Sequence, residues 1–272
     1  MELKCVDLFA GIGAWELASS LVNLSSQIKL ETIEFVENNP YCQTVLQTHW
    51  GNIPIHSDIT DYIPKNKADV YFVSFPCTGT SRAGKKTGLM HIESSLWFEA
   101  LRCIIIGRPS FVVVEQPTGI IDRGLRTIVA GLRLAGFEAE VEIVSASECG
   151  APHERQRVFV IAYADYLQLQ QRKGWTCWSA QIGKHITIAR SFISYPETQS
   201  RTLPLANGIP DWVSGLHYET WWRRNPPPVT PGVKPNTPGR AEAVSLVGKS
   251  ICVPQAAIPL MRLQFLASLL TF

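Results

Sequence analysis

The sequence predicts an α/β fold: a mostly parallel sheet with helices on both faces. Three observations carry this. Short apolar runs alternate with amphipathic helical segments through the first 162 residues. Runs such as Val70 to Phe75 are continuously apolar, as strands covered on both faces must be. Turns bearing glycine, proline or a carboxylate follow directly on the runs, where open α/β sheets bind ligands.

The elements follow in order. Lys4 to Phe9 is a strand ending at a turn with Gly11 and Gly13, and Ala14 to Leu24 is a helix. Leu30 to Val36 is the second strand. Pro40 to His49 is the second helix, with proline in the first turn, where its missing N–H costs nothing. A short third strand precedes Asp58, and Val70 to Phe75 runs into a Pro-Cys turn. Ser94 to Ile106 has helical periodicity. Phe111 to Val114 is a buried strand ending at Glu115. Ile120 to Ala135 reads as one helix stopped by Gly136. Val141 to Val144 and Arg157 to Ala162 are the last strands.

Composition divides the chain into residues 1–164, 165–240 and 241–272. The middle segment holds nine of the 18 prolines and five of the eight tryptophans, which predicts a small irregular lobe. It carries 9 Lys+Arg against 4 Asp+Glu, while residues 1–164 carry 14 against 18. A basic lobe beside an acidic one suits a phosphate-bearing partner, and equally suits ordinary scatter of surface charge. The last segment ends in a helix from near Pro254, which Pro259 should kink or restart. The seven cysteines are odd in number and form no CxxC pair, which argues against a disulfide framework or a zinc site and for a reducing cytoplasm. Glu2, Lys4 and Asp7 rule out a signal peptide at the start. No run is expected to cross a membrane, because Arg262 and Gln264 interrupt the apolar stretch from Pro259.

Four motifs carry candidate chemistry. In Asp7-Leu8-Phe9-Ala10-Gly11-Ile12-Gly13 the glycines let backbone approach a ligand; Glu16 stands where a dinucleotide fingerprint has its third glycine. Glu37 past the second strand suits a ribose diol, and Asp58 past the third suits an adenine amino group. Taken singly, either acid is as consistent with a solvated surface charge. Together the three strand ends favour an adenosine-bearing cofactor. In Phe75-Pro76-Cys77-Thr78-Gly79-Thr80-Ser81, nearby cations would lower the Cys77 thiol pKa, and Gly79, Gly84 and Gly88 suit a lid. Glu115 at a strand end is either working or salt-bridged. In His153-Glu154-Arg155-Gln156-Arg157, the two arginines project one way, toward an anion, a base carbonyl or solvent.

Taken in order, these motifs resemble the cytosine-5 DNA methyltransferase family. Glu37-Asn38-Asn39-Pro40-Tyr41 is similar to its ribose motif and Asp58-Ile59 to its adenine motif. Pro76-Cys77 with Ser81 resembles the nucleophile loop, and His153-x-Arg155-x-Arg157 the family's Gln-x-Arg-x-Arg pattern. Val247 to Gln255, including Lys249 and Ser250, resembles the closing motif, which packs back beside the first. The resemblance covers residues 1–162 and about 240–260, leaving 165–240 as the target-recognition lobe.

It implies a Rossmann-like methyltransferase domain that binds S-adenosylmethionine and acts on double-stranded DNA as a cytoplasmic monomer. Cys77, Glu115, Arg155 and Arg157 would be catalytic. Asp7, Phe9, Ala10, Gly11, Gly13, Glu37, Asn38, Asp58, Ile59, Pro76, Lys249 and Ser250 would bind the cofactor. The same chemistry on RNA, and a catalytically silent DNA-binding homologue, are the alternatives. Departures are Gln116-Pro117 for Asn-Val, expected to loosen the nucleophile loop's anchor; Thr78-Gly79-Thr80 for Gln-Pro-Phe; and Lys249 for an asparagine.

Overall fold

A computed structural model describes residues 1–77, 95–151, 154–164, 166–192, 246 and 250–270. Seven strands form one sheet: β1 (Glu2–Leu8), β2 (Lys29–Val36), β3 (Ile55–His56), β4 (Val70–Val73), β5 (Phe111–Pro117), β6 (Glu138–Ser145) and β7 (Gln156–Tyr163). Their spatial order is β3-β2-β1-β4-β5-β7-β6. The first five of these are parallel, and β7 runs antiparallel to both β5 and β6. The chain moves outward from β1 to β3, then returns to lay β4 on the other side of β1. The crevice between the ends of β1 and β4 is therefore the topological switch point, where such sheets bind ligands.

The helices are α1 (Ala14–Asn23), α2 (Pro40–Trp50), α3 (Leu96–Gly107), α4 (Ile120–Arg123), α5 (Leu125–Leu134), α6 (Tyr166–Gln171), α7 (Ile182–Ser191) and α8 (Val253–Leu270). Strand alternation sorts the core into two layers. Leu3 and Cys5, Val70 and Phe72, Phe111 and Val113, and Phe159 and Ile161 pack with α1 and α8 on one face. Val6 and Leu8, Tyr71 and Val73, and Val112 and Val114 pack with α3 and α5 on the other. Helices cover both faces, as the sequence predicts.

Three expectations are corrected. The single helix over Ile120 to Ala135 is two, divided at Gly124, whose backbone (φ −176°) is extended rather than helical. The C-terminal helix continues through Pro259 without restarting. It begins at Val253, so its 18 residues are long and apolar enough to cross a membrane by length and composition, contrary to the sequence reading. Here that apolar surface is spent inside the protein: most of the helix is buried against α1 and α7. Its one arginine, Arg262, is fully buried, in a 2.8 Å ion pair with Glu140 and donating to Gln181 at 2.7 Å. A buried guanidinium survives only with such a partner.

Residues 166–192 add Leu169, Trp178 and Ala189 to the core layer beneath α8. The remainder of the irregular lobe, 193–240, lies outside the described residues.

Candidate active site at the sheet switch point

The side-chain rows that build the α1 face of the core continue past it into the crevice. Leu3 and Cys5 lead to Asp7; Val70 and Phe72 lead to Ser74; Phe111 and Val113 lead to Glu115; Tyr163, Ile161 and Phe159 lead back to Arg157. Period-two alternation thus delivers polar groups from four strands to one end of one face.

In the antiparallel β5–β7 ladder Pro117 lies opposite Arg157, so Glu115 and Arg157 are diagonal neighbours on the same side. Their side chains form a 2.6 Å ion pair, and both are nearly buried. Arg155 precedes β7 and donates to the carbonyl of Ser250 at 3.0 Å. Burial and the neighbouring Arg157 push the Arg155 guanidinium down to about 10. Gln255 donates to the carbonyls of Val144 (2.6 Å) and Arg155 (2.8 Å), which fixes the start of α8 beside this turn.

Cys77 stands four residues past β4, partly exposed, within the fields of Glu115, Arg157 and Arg155. The expected lowering of its thiol pKa is not what results. Burial, then the Glu115 carboxylate, raise it, and together they outweigh the two arginines. Arg157, paired with Glu115, is the larger of the two opposing charges, but it does not overcome burial and the carboxylate.

The glycine turn is strained where it faces the crevice. Phe9 (φ 65°) and Gly11 (φ 57°) are left-handed, held by amide bonds from Phe9 and Ala10 to the Val36 carbonyl at 2.8 and 3.2 Å. A left-handed non-glycine costs about 1–3 kcal/mol and clusters at functional sites. A side chain added at Gly11 would meet no atom within 4 Å among the described residues, so its outer side opens on space.

Glu37, at the end of β2, is nearly buried and accepts from the Gly11 amide at 2.8 Å and the Asn39 amide at 2.7 Å. It therefore braces the turn as well as facing the crevice mouth. Asn38 beside it is exposed. Asp58 is exposed and accepts from the Thr60 amide (2.9 Å) and hydroxyl (2.8 Å), which lower its pKa. Ile59 is buried.

Asp7 is placed differently from the rest. Its carboxyl is fully buried, neither oxygen has a hydrogen-bond partner among the described residues, and it lies in the field of Glu16 of α1, which accepts from Thr32 at 2.8 Å. Burial raises both pKa values, and the charge of Glu16 raises that of Asp7 further. Glu16, conspicuous in the sequence only as an absent glycine, is thus the charge that acts on Asp7.

Ser81, His153 and Lys249, and the segment carrying the expected lid, lie outside the described residues. Ser250 is described, and its hydroxyl is buried with no hydrogen-bond partner among the described residues.

Residues 3–202, well over half of the chain, match the family described as C-5 cytosine-specific DNA methylase. The chain belongs to this family. Among its relatives is the type II methyltransferase M.DsaV of Dactylococcopsis salina, 27% identical over 172 residues that make up 60% of this chain and 46% of the relative. The type II methyltransferase M.HpaII of Haemophilus parainfluenzae is 30% identical over 169 residues, 58% of this chain and 45% of the relative. The chain thus spans about half the length of these curated relatives, 46% and 45%.

The S. pombe Dnmt2 methyltransferase structure superposes with a TM-score of 0.65 at 14% identity, covering 99% of this chain and 100% of that one. The Spodoptera frugiperda DNMT2 structure gives 0.60 at 14%, covering 97% and 99%. At such identity the likeness is one of fold.

In this member of the family, the Gln116 departure makes a contact of its own. The Gln116 Nε2 donates to the buried Phe75 carbonyl at 2.8 Å, while the loop beyond Cys77 lies outside the described residues. The longer side chain reaches the backbone two residues before Cys77. Sequence reading also passed over Arg102 of α3, which donates to the carbonyls of Ile59 (2.6 Å) and Tyr62 (2.9 Å) and so clamps the loop after Asp58. An arginine in an amphipathic helix gives no local sign of such a task.

Proposed function

We propose that the chain is a DNA (cytosine-5)-methyltransferase that uses S-adenosylmethionine and attacks its base through Cys77. The observation that carries this reading is the meeting of Cys77, Glu115, Arg157 and Arg155 beside a glycine turn at the switch point. S-adenosylmethionine supplies an electrophilic methyl group when bound. The residues fit it: Gly11 leaves room for close approach, Glu37 and Asp58 offer carboxylates at successive strand ends for ribose and adenine, and the Ser250 hydroxyl is buried without a partner among the described residues. By the resemblance, Phe9, Ala10, Gly13, Asn38, Ile59 and Pro76 would complete the walls.

A cytosine stacked in duplex DNA is out of reach, so the base must swing out into the crevice. The Cys77 sulfur then bonds to ring carbon 6 as an anion, having lost its proton to solvent. The ring electrons shift toward nitrogen 3 and the exocyclic oxygen. Glu115, having taken up a proton from solvent as the base enters, donates it to the nitrogen 3 edge, and Arg157 meets the oxygen.

The raised thiol pKa fits this order of events. While Glu115 is a bare carboxylate it opposes a sulfur anion nearby. Once Glu115 shares a proton with the base, that part of the opposition ends, and the arginines are left to offset the burial of the sulfur. Carbon 5, now nucleophilic, takes the methyl group. Loss of the carbon 5 proton to a base then restores the double bond as the carbon–sulfur bond breaks. Covalent addition divides one difficult substitution into easier steps.

The test is duplex DNA carrying 5-fluorocytosine, which cannot lose the group at carbon 5. Incubated with the chain and S-adenosylmethionine, it should give an adduct stable to denaturing electrophoresis, absent in Cys77→Ser. If Cys77→Ser traps DNA as the parent does, the assignment of the nucleophile is wrong. The same label in single-stranded and structured RNA, trapped while DNA is not, would move the substrate to RNA.

A further inference from the structure

We propose that Ser74 and Trp15 form a positioning pair that holds the cofactor turn in register with the nucleophile loop. The proposal rests on the reading of the crevice given above.

Ser74 is the first residue beyond β4 and lies at the switch point. Its amide donates to the Leu8 carbonyl at 3.3 Å, joining the ends of β4 and β1. Its hydroxyl accepts the indole N–H of Trp15 at 3.1 Å. Trp15 is the second residue of α1, two positions beyond Gly13, and is 1% exposed.

The indole touches each part of the site. It stacks on Phe72 of β4, centroids 5.0 Å apart at 15°. It meets Phe159 of β7 edge-on at 6.3 Å. Phe159 lies opposite Glu115 in the ladder and two residues from Arg157. One side chain is therefore packed against the strand leading to Cys77 and the strand carrying Arg157, while belonging to the helix that ends the glycine turn.

The hydrogen bond sets where along β4 that ring sits. Stacking alone lets a ring slide; an N–H fixed on one hydroxyl does not. The indole nitrogens of Trp97, Trp175 and Trp178 are buried with no partner among the described residues, so a satisfied indole is not the rule in this core. Ser74 is also three residues from Cys77, close enough that a shift of the ring is felt at the sulfur. Misplacement of reacting groups by about 1 Å lowers rates by up to roughly a hundredfold.

The test compares Ser74→Ala, Ser74→Thr, Trp15→Phe and the Ser74→Ala/Trp15→Phe double variant. Three quantities are read: S-adenosylmethionine affinity by calorimetry, the single-turnover rate of methyl transfer to duplex DNA, and the melting temperature. Ser74→Ala and Trp15→Phe are each expected to slow single turnover about tenfold and weaken cofactor binding about threefold. The double variant should be no slower than the worse single one, since both remove the same bond. Ser74→Thr, which keeps a hydroxyl, should restore the rate.

A melting temperature that falls while affinity and single-turnover rate hold would overturn the proposal, as would strictly additive losses. If Trp15→Phe does not fold, Ser74→Ala with its threonine rescue decides alone. A parent chain that binds the cofactor and transfers methyl groups, beside a Ser74→Ala variant of equal rate, sinks the pair and leaves the functional reading intact. A parent chain with no affinity for S-adenosylmethionine sinks both.

Discussion

Cys77 is held by what precedes it. The Gln116 amide on the Phe75 carbonyl is a buried bond, and the segment from Ser74 to Cys77 leaves the sheet under its control. Removing a buried partner of this kind costs about 1–3 kcal/mol. Gln116→Ala should therefore lower the methyl-transfer rate roughly tenfold or more while leaving S-adenosylmethionine affinity near the parent value. Calorimetry and single-turnover assays on the same preparation check this split. That Cys77, Glu115, Arg155 and Arg157 stand at or just past strand ends was readable in the sequence. The direction of the Cys77 shift was not readable. It depends first on how deeply the sulfur is buried and then on Glu115, which antiparallel strands set against Arg157, and the sequence leaves both open.

At the scale of elements, the turn between β1 and α1 is the tightest constraint. Gly13 has φ 83°, and a methyl group added there would run into the Trp50 indole of α2. Gly13→Ala combines a forbidden backbone with a steric clash and should destabilise the fold by about 2 kcal/mol or more. Chemical denaturation measures the first effect, and cofactor titration should show affinity lost with it. The Gly11 and Gly13 signal was plain in the sequence. That Trp50 enforces the second glycine was not, since α2 is brought against the turn only by the parallel pairing of β1 with β2. The break at Gly124 was equally hidden: the apolar periodicity over Ile120 to Ala135 runs on across it.

For the molecule as a whole, the Asp7–Glu16 pair makes stability depend on pH. Burial raises both groups, Glu16 to about 7, and the charges of Glu16 and Glu37 raise Asp7 further. At pH below the ordinary carboxylate range both states of the chain hold these protons, and the pair costs nothing. As pH rises, the unfolded chain releases protons that the folded chain keeps, so stability falls toward pH 7 and stays lower above it. Glu16→Gln keeps the acceptor for Thr32 and removes the buried carboxyl that must ionise as pH rises. It should gain roughly 2 kcal/mol more over the parent at pH 8 than at pH 5, read from urea unfolding at the two values. Equal gains at both would show that the pair does not titrate across that range.

The sequence by itself determined the α/β class, the strand ends that matter and the family, because hydrophobic period and turn chemistry are local properties of the chain. The tertiary structure alone decided which of those ends meet. The return of β4 to the far side of β1 creates the crevice, and the reversal of β7 sets Arg157 against Glu115. It also decided that Asp7 faces Glu16 and that the last apolar helix lies in the core. These are contacts between residues far apart along the chain, fixed by packing and burial that local pattern does not encode.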